Sequence, residues 1–220
     1  MKYLALLAFA FFGISAYSQH EFQVWTELGT SGKVIKRLNW SVDLNSRFGA
    51  SGLETFFPQV GFKYKVKKWF RPSIDYRFIL DKDRYGNMLS GHRINFNANF
   101  EENVDRFELN ARLRYQYAFN RFGFGNTTDF DPDLDQAFRL KGAVKYDIDN
   151  SIFTPLCSAE LFYNPQYGPD QGFSKIRLAF GTSLELDGPH KVSAKYQLDK
   201  RFEYGRDLRH VISVSYGYKL

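Results

Sequence analysis

The stretch FELNARLRYQYAF (107–119) sets Phe107, Leu109, Ala111, Leu113, Tyr115, Tyr117 and Phe119 on one side of an extended chain. Glu108, Asn110, Arg112, Arg114 and Gln116 fall on the other. Strict alternation marks a strand with one apolar and one polar face. Its length exceeds the roughly five or six residues of an ordinary strand in a soluble domain. A soluble sandwich shows the same alternation in shorter runs, so the number and length of such segments decide what this chain can become.

The pattern recurs along the whole sequence. In LNWSVDLNSRF (38–48), Leu38, Trp40, Val42, Leu44 and Phe48 oppose Asn39, Ser41, Asp43, Asn45 and Arg47. PQVGFKYKV (58–66), FRPSIDYRFIL (70–80) and HRINFNANF (92–100) alternate in the same way. So do FRLKGAVKYD (138–147), SKIRLAFGTSLEL (174–186), KVSAKYQL (191–198), HVISVSYGYKL (210–220) and, less cleanly, TPLCSAELFY (154–163). With EFQVWTEL (21–28) the segments number eleven, and no long stretch has helical periodicity. Tight turns are expected at VKKW (66–69), EENVD (101–105), DIDN (147–150) and DGPH (187–190). Longer polar segments alternate with them at 81–91, 120–136, 164–172 and 199–207.

Alternating runs of nine to thirteen residues, joined by short turns at one end and long loops at the other, fit strands that cross a hydrocarbon layer at a tilt. Such a sheet must close, because each unpaired amide in lipid costs several kcal/mol. The expected fold is all-β: a single antiparallel transmembrane β-barrel with short periplasmic turns and longer extracellular loops. Single-chain bacterial barrels have even strand numbers, so the eleven segments imply twelve strands, with ten as the alternative. The uncertainty lies in residues 21–37, which read as one long strand or as a strand with a lead-in. Trp69, Tyr115, Tyr117, Tyr216 and Tyr218 suit the aromatic belts at the two interfaces.

The start of the chain agrees. Lys2 precedes the apolar run LALLAFAFFGI (4–14), and SAYSQ places Ala16 and Ser18 at the small-residue positions of a signal-peptidase site. This predicts a secretory signal over 1–18 and a barrel domain over 19–220. Loss of the signal removes one positive charge, Lys2, from the net +6 and leaves +5. That balance is modest and well mixed, and with the secretory signal it argues against a nucleic-acid partner. The single cysteine, Cys157, forbids an internal disulfide and a cysteine-rich metal site, and reads as a small hydrophobe in a strand. Aromatics make up 18% of the chain although a quarter of it is charged, as thin apolar stripes require.

The stretch 24–49 resembles the start of the domain of unknown function 2490 family. The features that carry this are Trp25 with Glu27, the Asn39-Trp40-Ser41 strand start and Arg47-Phe48 at that strand's end. FRPSIDYRF (70–78) and HRINFNANF (92–100) are similar to the family's succeeding strands, so the resemblance covers nearly all of the mature chain. It implies a secreted outer-membrane β-barrel of Bacteroidetes, and it brings no catalytic residues and no established substrate.

On this reading the lumen is lined by Arg47, Lys63, Arg71, Asp75, Arg77, Arg93, Glu108, Arg112, Arg114, Lys141, Lys175 and Arg177. Lys65, Arg139, Lys145, Lys191 and Lys195 add to its basic side, and Asp43, Asp147 and Glu185 to its acidic side. Two functional readings follow. The first is a structural or accessory barrel without catalytic activity, its long side chains filling a narrow lumen. The second is a porin-like channel for small anionic solutes, since a basic lumen favours anions. A third, an outer-membrane lipid-modifying hydrolase, needs a serine and a histidine together. His92 (after Ser90) and His210 (before Ser213 and Ser215) fall at strand starts near the extracellular rim, whereas His20 and His190 read as surface residues. No recognisable catalytic spacing joins any of them, so no enzyme is expected. The acidic segment DFDPDLD (129–135) lacks the glycine and glutamate spacing of a calcium loop, and no metal or cofactor is expected. The expected partners are outer-membrane lipid and lipopolysaccharide, small anions, and another envelope protein.

Overall fold

The computed structural model describes residues 21–83, 85–119, 136–168, 171–186, 188–202 and 208–220. The expected signal segment (1–18), His20 and the acidic segment 129–135 lie outside them. Eleven strands follow one another: β1 (Glu21–Ile35), β2 (Leu38–Gly49), β3 (Gly52–Tyr64), β4 (Phe70–Lys82), β5 (Met88–Val104) and β6 (Phe107–Phe119). Then come β7 (Gln136–Tyr146), β8 (Phe153–Asn164), β9 (Gly172–Glu185), β10 (His190–Arg201) and β11 (Leu208–Lys219). Each pairs antiparallel with the next, and β1 also pairs with β11, so the sheet is a closed barrel. No helix occurs among the described residues.

The expected count of twelve, or ten, is therefore corrected to the eleven strands with which this barrel closes. The segment in doubt, 21–37, is a single long strand that reaches Ile35 across a bulge between Lys33 and Ile35. An odd number makes the first and last strands run the same way, so the closing seam is parallel rather than antiparallel: Trp25 stands beside Ser213 and Thr30 beside Tyr218. A parallel ladder still pairs the backbone groups, and no edge is left. Two boundaries also move. EENV (101–104) belongs to β5, with the turn at Asp105-Arg106, and Lys65 lies past the end of β3. Asp147 likewise follows β7 in a connection.

The connections sort by end. At one end lie the turns at 36–37, 65–69, 105–106, 147–152 and 186–189. Asp105 and Asn150 adopt left-handed backbone there, with φ of 53° and 55°, a region that short polar side chains tolerate. At the other end lie 50–51, 83–87, 120–135, 165–171 and 202–207, among them the longest connection. In the turn at 83–87, the Asp83 carboxylate accepts bonds from the backbone N–H groups of Tyr85 and Asn87 and from the Asn87 side chain. These bonds hold its pKa below the usual carboxylate value.

Partners across a ladder share a face, so the register sorts the side chains without ambiguity. The outward face carries exposed large apolar residues on every strand but β10, among them Leu28, Leu44, Phe62, Ile74, Phe96, Leu113, Leu140, Phe180 and Val214. The inward face carries the buried polar and charged groups, including Asn95, Asn97, Arg114, Gln116, Arg139, Glu160, Gln197 and Asp199.

The parallel seam can be tested directly. Thr26 and Val214 are direct neighbours on its outward face, about one strand spacing of 4.8 Å apart and within disulfide range. Thr26→Cys with Val214→Cys, in a Cys157→Ser background, is expected to form an oxidised cross-link only in the folded barrel. It would be read as a mobility shift on non-reducing electrophoresis.

Candidate functional site in the barrel interior

The inward side chains meet in one crowded layer. The Arg47 guanidinium lies 4.2 Å from the ring centroid of Trp25 and 5.1 Å from that of Phe57. Arg77 covers the same phenyl ring at 4.8 Å. From Trp25 the chain of contacts passes to Arg177 at 4.8 Å, then to Phe162 at 5.5 Å, which is also covered by Arg139 and Lys175 at 4.3 Å each. Arg77, Phe57, Arg47, Trp25, Arg177, Phe162 and Arg139 thus alternate cation and ring across β4, β3, β2, β1, β9, β8 and β7.

Carboxylates complete the layer. Glu160 receives Arg112 at 2.8 Å and Arg139 at 3.0 Å. Arg177 is bidentate to Asp199, with both contacts at 2.6 Å. Arg114 donates to Asn97 Oδ1 at 2.5 Å and pairs with Asp75 at 3.3 Å, and Arg77 donates to Gln59. Val211, fully buried, supplies the share of β11. Every strand therefore contributes.

The electrostatics explain the mixed composition. Among the described residues, six guanidiniums (Arg47, Arg77, Arg112, Arg114, Arg139 and Arg177) gather with three carboxylates, Asp75, Glu160 and Asp199. Ring faces add negative density against Arg47, Arg77, Arg139 and Arg177, and a desolvated cation–π contact stabilises by about 2 kcal/mol. Arginine suits this role because its guanidinium is planar and more weakly hydrated than an ammonium. Part of the layer is buried, with Glu160 3% exposed, Arg114 5%, Arg139 8% and Asp199 0%, while Arg47, Arg77, Arg112 and Arg177 are half-buried.

Its position is off-centre. Trp25 lies four residues from the start of β1 and ten from its end, and Phe162 lies two residues from the end of β8 and nine from its start. Both put the layer nearer the end with the longer connections. On its other side the inner wall is built largely from small residues, including Gly29, Ser41, Gly61, Ser158, Gly181 and Ser193. The rim there is closed by ion pairs: Arg71 and Lys63 with Glu101, Lys145 with Glu108 at 2.7 Å, and Lys191 with Glu185 at 2.7 Å.

The structure places the expected lumen residues as follows. Arg47, Asp75, Arg77, Arg112, Arg114, Lys175 and Arg177 enter the layer. Lys63, Arg71 and Glu108 sit at the short-turn rim. Arg93 and Lys141 share the inward face, paired with Ala118 and Glu160 respectively. Sequence reasoning missed the inward aromatics. Trp25, Phe57 and Phe162 lie in phase with Glu27, Gln59 and Glu160, and that phase was the available signal.

The histidines lie elsewhere. His92, His190 and His210 all face outward, each with Nδ1 sharing a hydrogen bond with a tyrosine: Tyr76 at 2.7 Å, Tyr216 at 2.6 Å and Tyr196 at 2.5 Å. His210 thus faces away from Ser213 and Ser215, which line the interior. Around these pairs run ring contacts: Phe78, His92 and Phe119 towards one end, and Trp69, Phe70 and Phe100 at the other. Among the described residues no group of three or more His, Cys, Asp or Glu is placed to hold a metal ion.

Glu160 is the keystone of the layer. Glu160→Gln leaves two buried guanidiniums without their shared anion, and the expected loss is about 3–5 kcal/mol. Glu185→Gln, at the exposed rim, is expected to change stability by less than about 1 kcal/mol. Equilibrium urea unfolding of the refolded protein, followed by tryptophan fluorescence, distinguishes them.

A family model described as Protein of unknown function (DUF2490) matches residues 22–207. No curated protein matches the chain.

Proposed function

Because the chain belongs to the DUF2490 family, we propose that it is an outer-membrane β-barrel of structural or accessory role, without catalytic activity, whose lumen is shut by the arginine–aromatic layer. One observation carries the location: the barrel is turned inside out relative to a water-soluble protein. Charged residues such as Arg114, Arg139, Glu160 and Asp199 are buried within, and large apolar residues are exposed on the outer wall of every strand but β10, whose Val192, Tyr196 and Leu198 are half-exposed. Burying an apolar face is the main driving force of folding in water, and here only lipid can cover it. The strands, of eleven to seventeen residues, suit a tilted crossing. The Tyr–His and Trp–Phe clusters towards the two ends suit interfacial belts. The short-turn end faces the periplasm on this reading, and lipopolysaccharide and a further envelope protein are met at the other.

The layer favours a closed barrel over a channel. A basic lumen attracts anions, but here its guanidiniums are engaged by rings and carboxylates in a cross-section where Arg114, Arg139, Glu160 and Asp199 are buried. Partners then bind the loops or the exterior. The outward face also bears an apolar groove of about 880 Å³, lined by Ala111, Gly142, Ala159, Phe100 and Phe180. The exposed Cys157 lies in it.

Planar-bilayer recording in a KCl gradient tests the role. The refolded mature protein is expected to insert, to show heat-modifiable migration and to give no stable openings. Trp25→Ala combined with Phe57→Ala and Phe162→Ala is expected to open a conducting path. Stable anion-selective openings of the unaltered protein would overturn the closed reading and establish the channel. For the location, Cys157 is expected to resist a water-soluble maleimide in proteoliposomes and to react after denaturation. Rapid labelling of the folded protein would show an outer wall bathed in water.

A further inference from the structure

The outer wall turns concave where its outward side chains are short. Ala111, Gly142 and Ala159 are partners in one outward row across β6, β7 and β8. A Cβ added to Gly142 would meet nothing within 4 Å. Large side chains flank the row, Trp69 and Phe100 on one side and Leu178 and Phe180 on the other, and they enclose the apolar groove of about 880 Å³. That volume falls within the roughly 300–1,000 Å³ of small-molecule sites. The row from Phe100 to Leu178 crosses four strand spacings, roughly 19 Å, against the roughly 15 Å depth of hydrocarbon in one leaflet.

The groove deepens away from the rim. Phe100 and Ala111 lie four residues inside the short-turn ends of β5 and β6, Ala159 six inside that of β8 and Leu178 seven inside that of β9. The shallow end adjoins the turn at 65–69 and carries both signs of charge. There the Trp69 and Phe100 rings stack at 6.1 Å, and Lys67 Nζ lies 5.5 Å from the Trp69 ring centroid. The Glu101 N–H donates to the Trp69 carbonyl at 2.9 Å, which fastens this turn beside Glu102. Glu102 lines the groove, is paired with the outward Leu109 and is exposed. Among the described residues its carboxylate has no hydrogen bond or ion pair. An apolar channel thus leads from a mouth bearing one ammonium and one unpaired carboxylate.

We propose that this groove holds an acyl chain of one phospholipid whose headgroup carries a primary ammonium, of the ethanolamine class. The chain lies over Ala111, Gly142 and Ala159, the headgroup ammonium donates to Glu102, and the phosphate meets Lys67. Both contacts are charge-assisted. The inference rests on the outer wall facing lipid, and it names what covers this part of the wall. A choline headgroup has no N–H to donate to Glu102, and a glycerol headgroup brings a net negative charge towards it. A second copy of the chain does not fill the groove, because a two-fold contact centred here sets one concave face against the other.

The test is native mass spectrometry of the refolded full-length mature barrel, released from detergent micelles that hold equal amounts of phosphatidylethanolamine, phosphatidylcholine and phosphatidylglycerol. One retained phosphatidylethanolamine is expected, favoured over the other two about tenfold, the discrimination that one hydrogen bond between charged groups gives. Glu102→Gln is expected to level that preference. Gly142→Leu with Ala159→Leu fills the groove and is expected to abolish retention, whereas Val214→Leu, on the outer wall at β11, leaves it unchanged. Heat-modifiable migration of every variant serves as the control for folding. Equal retention of the three lipids, retention that survives in the groove-filled variant, or a dimer without lipid that the same variant dissociates would overturn the proposal. Such a failure with Cys157 shielded in proteoliposomes refutes the groove and leaves the membrane location standing, whereas rapid labelling of Cys157 there refutes both.

Discussion

The whole molecule depends on closure through the parallel β1–β11 seam. A sheet of eleven strands cannot close antiparallel throughout, and an open edge would leave unpaired N–H and C=O groups along two strands. The ladder from Glu21 beside Arg209 to Ser31 beside Lys219 removes that edge. It also sets phase. Once Trp25 is fixed beside Ser213 on one side and Arg47 on the other, every inward position around the barrel is determined, because a slip of one residue would exchange the two faces. The Glu21–Arg209 pair at 2.6 Å and the bond from the Leu220 N–H to the Ser31 carbonyl fasten the seam near its two ends.

Closure creates an interior that must be filled by charged side chains, and the arginine–aromatic layer shows how that is achieved without matching each base to an acid. Had all six guanidiniums been paired with carboxylates, the layer would bury twelve charges, each with its own desolvation cost. Rings interleaved between arginines supply packing and a negative face together. Three of the carboxylates are then sufficient. Glu160 serves two arginines, Asp75 holds Arg114, Asp199 holds Arg177, and the rings of Trp25 and Phe57 meet Arg47 and Arg77.

Much of this was legible in the sequence, and the parts that were not have physical reasons. The alternation in 107–119 and 38–48, the resulting faces and the asymmetry of the connections all follow from local patterning. They reappear in β6, in β2 and in the two rims. The strand number did not, because parity of closure is a property of the whole sheet, and the even-number expectation outweighed the eleven segments actually visible. The inward aromatics were obscured by a correct generalisation, that apolar residues face out, applied where Trp25, Phe57 and Phe162 are in phase with polar neighbours. The histidines show the same lesson from the other side. His92 and His210 were read by their nearness to a rim, whereas their phase with Phe78 and Ile212 places them outside.

The small residues of the inner wall follow from the long ones. A would-be Cβ on Gly29 would lie 2.5 Å from Asp43 Oδ1, and one on Gly61 2.8 Å from Asp75 Oδ1. Each of these glycines therefore makes room for the carboxylate on the adjoining strand. At Gly61 the accommodated carboxylate is the one that holds Arg114, so a methyl group there would press on the layer from above. At Gly181 a Cβ would lie 2.1 Å from the Ala194 carbonyl oxygen and 2.7 Å from Lys195 Cα, so the close approach of the β10 backbone leaves no room for a side chain. Bulky inward side chains are concentrated near the end with the longer connections, and the wall beyond them is built largely from short ones, because the carboxylates and backbone of the adjoining strands already occupy the space.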